Sequence, residues 1–291
     1  MKKFFTLLAI ILLFIGCTMS GQQEECATDT ITDDYGRKVL VPTHPQRIVS
    51  ASPAVTEIIC ALGAESLLCG RTDYCSYPAS VSSIPSIGGI SNLNVEHVLS
   101  LKPDLMISAS MVPEKTIVQL EKMNVPVVCV PEKNNFDGLY QNIATIGRLI
   151  GRESAADSLN ALLRNKLSGL MCNADTNNRP TIYYVVGFGS NGNFTAGGNS
   201  FINDIICMAG ARNLAEDNEG WGYSLENLME KDPDYILIRA EDSSTFCNTK
   251  PYNRLTAVKN GRVISIESGI VDLQVPRNIE AIQLIHDNII R

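Results

Sequence analysis

The chain has 291 residues, 45% of them hydrophobic and 19% charged, with a formal net charge of −7. That acidic balance, with no clustered run of Lys and Arg, excludes nucleic acid as a partner. Beyond the first residues no apolar run reaches the roughly eighteen residues of a spanning helix, so no permanent membrane span is expected in the body of the protein.

At the start, Lys2 and Lys3 precede an apolar stretch from Phe4 to Ile15, followed by Gly16 and Cys17. A positive end and a short apolar core predict a signal peptide over residues 1–16. A small residue directly before Cys17 resembles a bacterial lipoprotein processing site, which makes Cys17 the lipidation candidate. Residues 17–29 are polar and small, as suits a tether between lipid and fold. Later cysteines fall at 26, 60, 69, 75, 129, 172, 207 and 247. An even number in an exported chain permits disulfides without choosing a pairing. Cys60, Cys129 and Cys207 sit in apolar runs, where a thiol serves as a small hydrophobe. There is no C-x-x-C, and His44, His97 and His286 are far apart, so no metal centre is expected.

Residues 31–46 read as an edge strand or hairpin, followed by a short strand at RIVSAS and a helix from Pro53 to Leu62 that Gly63 ends. A strand at 65–70 leads into a long Gly/Pro/Ser loop, and Asn94 caps a helix to Leu101. Strands at 104–108 and 126–130 flank a helix over 113–123. This rhythm predicts a mostly parallel sheet covered by helices, assigned as a first lobe over 30–135. Residues 136–173 follow as connecting helices: one run to Ile150, then a longer one over 152–172 with Ala155, Leu159, Leu162, Leu163, Lys166, Leu167 and Leu170 at spacings of three and four. The longer helix is either one more surface helix of a single domain or a stiff rod between two lobes. After it the rhythm returns over 174–291, with strands at 181–187, 235–239 and 262–267 and helices at 201–209, 224–231 and 276–290.

An internal repeat favours the rod. NVEHVLSLKPDLMI (94–107) aligns without a gap on SLENLMEKDPDYIL (224–237), setting Glu96 on Glu226 and Asp104 on Asp234. EIICALGAESL (57–67) aligns on DIICMAGARNL (204–214), with Gly63 on Gly210. Two matches in one order, on either side of one long helix, predict two lobes of the same α/β type. The Pro-Asp steps have a local reading as strand entries.

No nucleophile elbow, zinc-protease motif, P-loop or dinucleotide fingerprint is present, so an enzyme is not expected. The predicted strands instead end in aromatic and glycine-rich loops, where parallel sheets place ligands. In the first lobe these carry Tyr74, Tyr77 and Ile90; in the second, Phe188, Phe194, Trp221 and Tyr223. Trp221, the sole tryptophan, lies between two glycines and either pins its loop or stacks on a ligand.

The stretches RIVSASPAVTEIICALGA, GRTDYCSYP, IPSIGGISNLNVEHVLSLKPDLMI, NFTAGGNSFINDIICMAGARN, WGYSLENLMEKDPDYILI and VPRNIEAIQLI together resemble a known family over about residues 45–291. It is the substrate-binding proteins of ABC importers for vitamin B12, ferric siderophores and haem, with the nearest likeness to the B12 binders. The resemblance implies an α/β fold of two similar lobes with mostly parallel sheets, bridged by one long rigid helix, and a ligand held between the lobes. It implies Glu96 and Glu226 as the contacts to an ABC permease dimer with its ATPase subunits. Tyr74, Phe188 and Trp221 fall on its ligand positions, Ile90 stands where a pocket tryptophan is expected, and Tyr77 and Tyr223 lie beside them. Such a carrier is a monomer in the cell envelope, held to the membrane by lipid on Cys17, with no cofactor of its own. The cargo expected first is a corrinoid; haem or a ferric siderophore is the alternative, with Arg71, Arg239 and Arg277 as cations for an anionic chelate. A surface lipoprotein without transport function, or an exported enzyme, is the remote reading.

Overall fold

In the computed structural model the described residues are 28–109, 112–131, 133, 135–171, 179–190 and 192–290. The expected signal peptide, Cys17, nearly all of the tether, Cys26 and Cys172 lie outside them. Among the described residues no helix is long and apolar enough to cross a membrane.

A hairpin opens the first lobe, β1 (Thr28–Thr32) antiparallel to β2 (Lys38–Pro42). It is tied to the lobe where the amide of Asp34 donates to the carbonyl of Cys129 at 3.0 Å. Then come β3 (Ile48–Ser50), α1 (Pro53–Ala61), β4 (Leu68–Arg71) and a small ribbon, β5 (Gly88–Gly89) and β6 (Asn92–Leu93). The lobe is completed by α2 (Val95–Ser100), β7 (Leu105–Ser108), α3 (Glu114–Lys122) and β8 (Val127–Cys129). Its sheet is parallel in the order β4-β3-β7-β8. Every residue of β3, β7 and β8 is buried, as a sheet with helices on both faces requires.

Two helices, α4 (Phe136–Leu149) and α5 (Glu153–Met171), carry the chain across. The second lobe holds β9 (Thr181–Val185), α6 (Phe201–Met208), β10 (Arg212–Asn213), α7 (Leu225–Lys231), β11 (Tyr235–Arg239), α8 (Ala240–Asn248), α9 (Thr256–Lys259), β12 (Val263–Ile266) and α10 (Asn278–Ile289). Its sheet, β10-β9-β11-β12, is also parallel and repeats the strand order of the first.

The repeat is thus structural as well as sequential. Gly63 and Gly210 both take left-handed φ, +68° and +93°, just past α1 and α6. Asp104 accepts the amides of Gln46 and Arg47 at 2.6 and 3.1 Å, at the entry to β3. Asp234 accepts the amide and hydroxyl of Thr181, both at 2.8 Å, at the entry to β9. Each Pro-Asp carboxylate therefore satisfies the first amides of the neighbouring strand, where the ladder supplies no partner.

The two lobes share one hydrophobic core. A single cluster runs from Val55, Ile58 and Ile107 through Ile143, Ile146 and Leu163 to Ile205, Leu237 and Ile285. The helix in contact with both lobes is α4, packed on α1 and α6, whereas α5 lies against α4, α6 and α10. The long helix α5 thus runs beside α4 as the chain passes from one lobe to the other. Close approach of the pair depends on Gly147, where a Cβ would lie 2.5 Å from that of Ala156.

Candidate functional site

A cleft of about 740 Å³ opens between the lobes at the C-terminal ends of the two sheets. From the first lobe, the turn joining β3 to α1 and the first turn of that helix supply Ala51 to Val55, and the loops after β7 and β8 supply Ala109, Val130 and Pro131. From the second come Gly197 and Asn199 to Ile202 around the start of α6, and Val271 to Gln274 in the segment before α10. Asn142 and Ile146 of α4 join the two walls.

An aromatic side chain stands on each side. Tyr74 is 65% exposed and Trp221 is 53% exposed, and both line the cleft, as does the half-buried Ile90. The backbone under Trp221 is held firmly. Its carbonyl accepts the amide of Thr195 at 2.8 Å, and Asn218 Nδ2 donates to the carbonyls of Gly220 and Gly222 at 2.9 and 3.1 Å. Gly197 lets the adjoining wall close on this loop, since a Cβ there would lie 2.1 Å from the Asn218 carbonyl oxygen. The loop is pinned through its backbone carbonyls by Asn218 and Thr195, which leaves the indole itself available for contact.

The other aromatic candidates are placed elsewhere. Phe188 stands edge-on to Phe246 and Tyr252, with ring centroids 5.2 and 5.7 Å away. Tyr223 packs on Tyr183 at 5.5 Å. Both rings belong to a second core cluster inside the C-terminal lobe, and neither lines the cleft. Tyr77 lies under the Arg277 guanidinium, 4.0 Å from its ring centroid, and is also off the cleft wall. Phe194 is exposed and off the wall as well.

Titratable side chains on the wall, among the described residues, are Tyr74 and Asp272. Asp272 accepts the Tyr184 hydroxyl at 2.6 Å and Arg239 Nε at 3.2 Å. Burial, then the charge of Asp272, pushes the Tyr184 phenol well above its usual range, so it stays a proton donor. Burial opposes the charge of Arg239, but the hydrogen bond and charge of Asp272 outweigh it and leave the guanidinium raised. Arg277 holds Glu57 of α1 through two hydrogen bonds, 2.8 and 3.0 Å, and joins the lobes. Burial pushes the Glu57 carboxyl up, and Arg277 draws it part of the way back. Arg71 donates to the carbonyls of Val81 and Thr72 at 2.8 and 2.9 Å. All three arginines are thus engaged, and none lines the cleft.

Glu96 and Glu226 lie in the first turns of α2 and α7, both exposed and without an ion-pair partner among the described residues. Among the described residues no cluster of His, Cys, Asp and Glu is arranged to hold a metal ion. The described cysteines, 60, 69, 75, 129, 207 and 247, are all free thiols. Burial pushes Cys60 up to about 12 and Cys129 up to about 11, so both stay protonated at neutral pH.

Sequence reasoning passed over Asn142, Phe201, Asp272 and Gln274. Asn142 carried a readable signal: it is a polar residue inside the apolar stripe Leu139, Ile143, Ile146 and Leu149 of α4.

A family model described as periplasmic binding protein matches residues 48–269. The ABC transporter substrate-binding lipoprotein YvrC of Bacillus subtilis is 29% identical over 276 residues, 92% of this chain and 87% of its own. A cobalamin-binding protein of Halobacterium salinarum is 29% identical over 266 residues, 86% of this chain and 71% of its own. The crystal structure of the periplasmic haem-binding protein HutB of Vibrio cholerae superimposes with a TM-score of 0.78 at 24% identity, covering 84% of this chain and 99% of that one.

Proposed function

Because the chain belongs to the periplasmic binding protein family, whose members are solute carriers and not enzymes, we propose that it is the substrate-binding component of an ABC importer and that its cargo is a corrinoid. The observation that carries this reading is the cleft wall. It sets Tyr74 and Trp221 on opposite lobes around an interior that presents no Lys or Arg side chain among the described residues. A large, flat, weakly charged ring system suits such a wall, since aromatic faces stack on a macrocycle and its edges require no counter-ion. An anionic ferric chelate would meet no free cation there, because Arg71, Arg239 and Arg277 are each engaged elsewhere. Haem is the second reading, favoured by the exposed phenol of Tyr74, an oxygen donor of the kind that ligates haem iron in some proteins.

The carrier acts outside the cytoplasm, anchored through lipid on Cys17, and presents Glu96 and Glu226 to the permease dimer and its ATPase subunits. In a titration with cobalamin, cobinamide, haemin and a panel of ferric chelates, followed by Trp221 fluorescence, corrinoids bind at micromolar concentration or below and quench the signal. Binding of a ferric chelate or haemin with neither corrinoid overturns the corrinoid assignment and leaves the carrier reading in place.

A further inference from the structure

Two side-chain amides at the floor of the cleft have no partner for their oxygens. Asn142, in the middle of α4, is 5% exposed, and its Oδ1 accepts no hydrogen bond among the described residues. Gln274 Oε1, also buried, is likewise without a donor. The Gln274 amide is oriented by its other end, where Nε2 donates to the backbone carbonyl of Lys133. Its oxygen lies over Gly138, where a Cβ would approach it to 3.2 Å. Gly138 is one helical turn before Asn142, so the two oxygens lie along one face of α4. Both residues line the cleft.

Buried acceptors without donors are rare, because each forfeits its hydration and gains nothing in return. Filling the Asn142 position with an apolar residue would remove that loss and extend the Leu139–Ile146 stripe. A donor on the edge of a bound cargo is placed to answer them. We propose that Asn142 and Gln274 read hydrogen-bond donors at the edge of the bound molecule, and that this selects cargo bearing carboxamide N–H groups over cargo bearing carboxylates. A carboxylate carries lone pairs only and would set its oxygens against that of Gln274, whose N–H end is held by the Lys133 carbonyl, whereas a primary amide offers two N–H donors that can meet both oxygens. Discrimination is steepest where a buried polar group goes unpaired with the wrong ligand. The inference rests on the cleft being the cargo site, and it separates an amide-edged corrinoid from a haem edged by propionates.

The experiment compares two pairs of probes that differ in this chemistry alone: a corrinoid amide with its carboxylic-acid counterpart, and haemin with its bis-amide. Calorimetry on the full-length protein gives an amide-to-acid affinity ratio for each pair. The expected ratio is at least tenfold in the unaltered protein, falling to about threefold or less in Asn142→Leu, with a near-ultraviolet dichroism spectrum matching the parent. Gln274→Met serves as an independent second variant and lowers the same ratio. A ratio near one in the unaltered protein, or a ratio that both variants leave unchanged, overturns the proposal. If the haem pair binds and the corrinoid pair does not, the corrinoid assignment falls, while the ratio within the haem pair still decides the role of the amides. If none of the four binds at micromolar concentration, both fall together.

Discussion

Glu96 and Glu226 each sit two residues after a capping side chain: Asn94 Oδ1 accepts the His97 amide at 2.9 Å, and Ser224 Oγ accepts the Asn227 amide at 3.3 Å. With the caps satisfied by Asn94 and Ser224, neither glutamate is needed to hold its helix, and both stay exposed. In the docking role proposed for them, charge reversal at both positions abolishes uptake by cells carrying the permease. Ligand affinity stays within about twofold, because separated sites contribute additively. Added salt weakens association with the permease, as expected for exposed charge pairs. Loss of ligand binding in the double variant would place these residues in the cleft or the fold instead. The aromatic residues teach a different lesson. Phe188 and Trp221 read alike in sequence, each in a glycine-flanked loop. Packing separates them: Phe188 finds the Phe246–Tyr252 pocket of its own lobe, whereas Trp221 sits on a loop whose backbone is already tied down. No local pattern carries that distinction, because it depends on contacts about sixty residues away in sequence.

Between elements, the contact that most constrains the assembly is the crossing of α4 and α5 at Gly147 and Ala156. Gly147→Val would force its branched side chain into Ala156, and overpacking of this kind costs about 1–3 kcal/mol. A chain of this size loses about 2–4 °C per kcal/mol, so a fall of about 5 °C in the thermal midpoint is expected. Ala156→Gly in the same molecule should recover part of it, since residues in contact couple. A midpoint within a degree of the parent, measured by calorimetry, would show that the helices separate without strain. Long periodic elements such as α1, α4, α5 and α10 were legible in the sequence, within a residue or two at each end. Helix α8 was not, because AEDSSTFCN buries only Phe246 and so shows no apolar stripe. The stretch read as a strand at 65–70 begins instead with a single tight turn, Glu65–Leu67, and the strand starts at Leu68. Strand β10 spans two residues, too few for any alternation to show.

For the whole molecule, the shared core sets the mechanics. Among the described residues, ties between the halves besides the apolar cluster include Arg277 with Glu57, Arg277 over the Tyr77 ring, and Gln274 with the Lys133 carbonyl, while the Phe136 amide of α4 donates to Asp204 at 3.0 Å. A buried ion pair adds little net stability, but removing one partner is costly, so the Glu57–Arg277 pair fixes how the lobes are set. Wide hinge closure needs slack in the linkers, and a continuous packed core provides none. Small-angle scattering of the ligand-free and loaded forms should therefore give radii of gyration within about 1 Å. Compaction by several ångströms on loading would overturn the rigid reading. The two-lobe architecture was legible because the repeat survives in sequence. The cleft floor was not, since it is assembled from α4 and the segment before α10, which lie far apart along the chain. The repeated strand order has one more consequence. Each half sets one exposed glutamate at the opening of its own copy of the same helix, α2 or α7. If both act in docking as proposed, one kind of acceptor surface, used twice, is enough to receive the whole molecule.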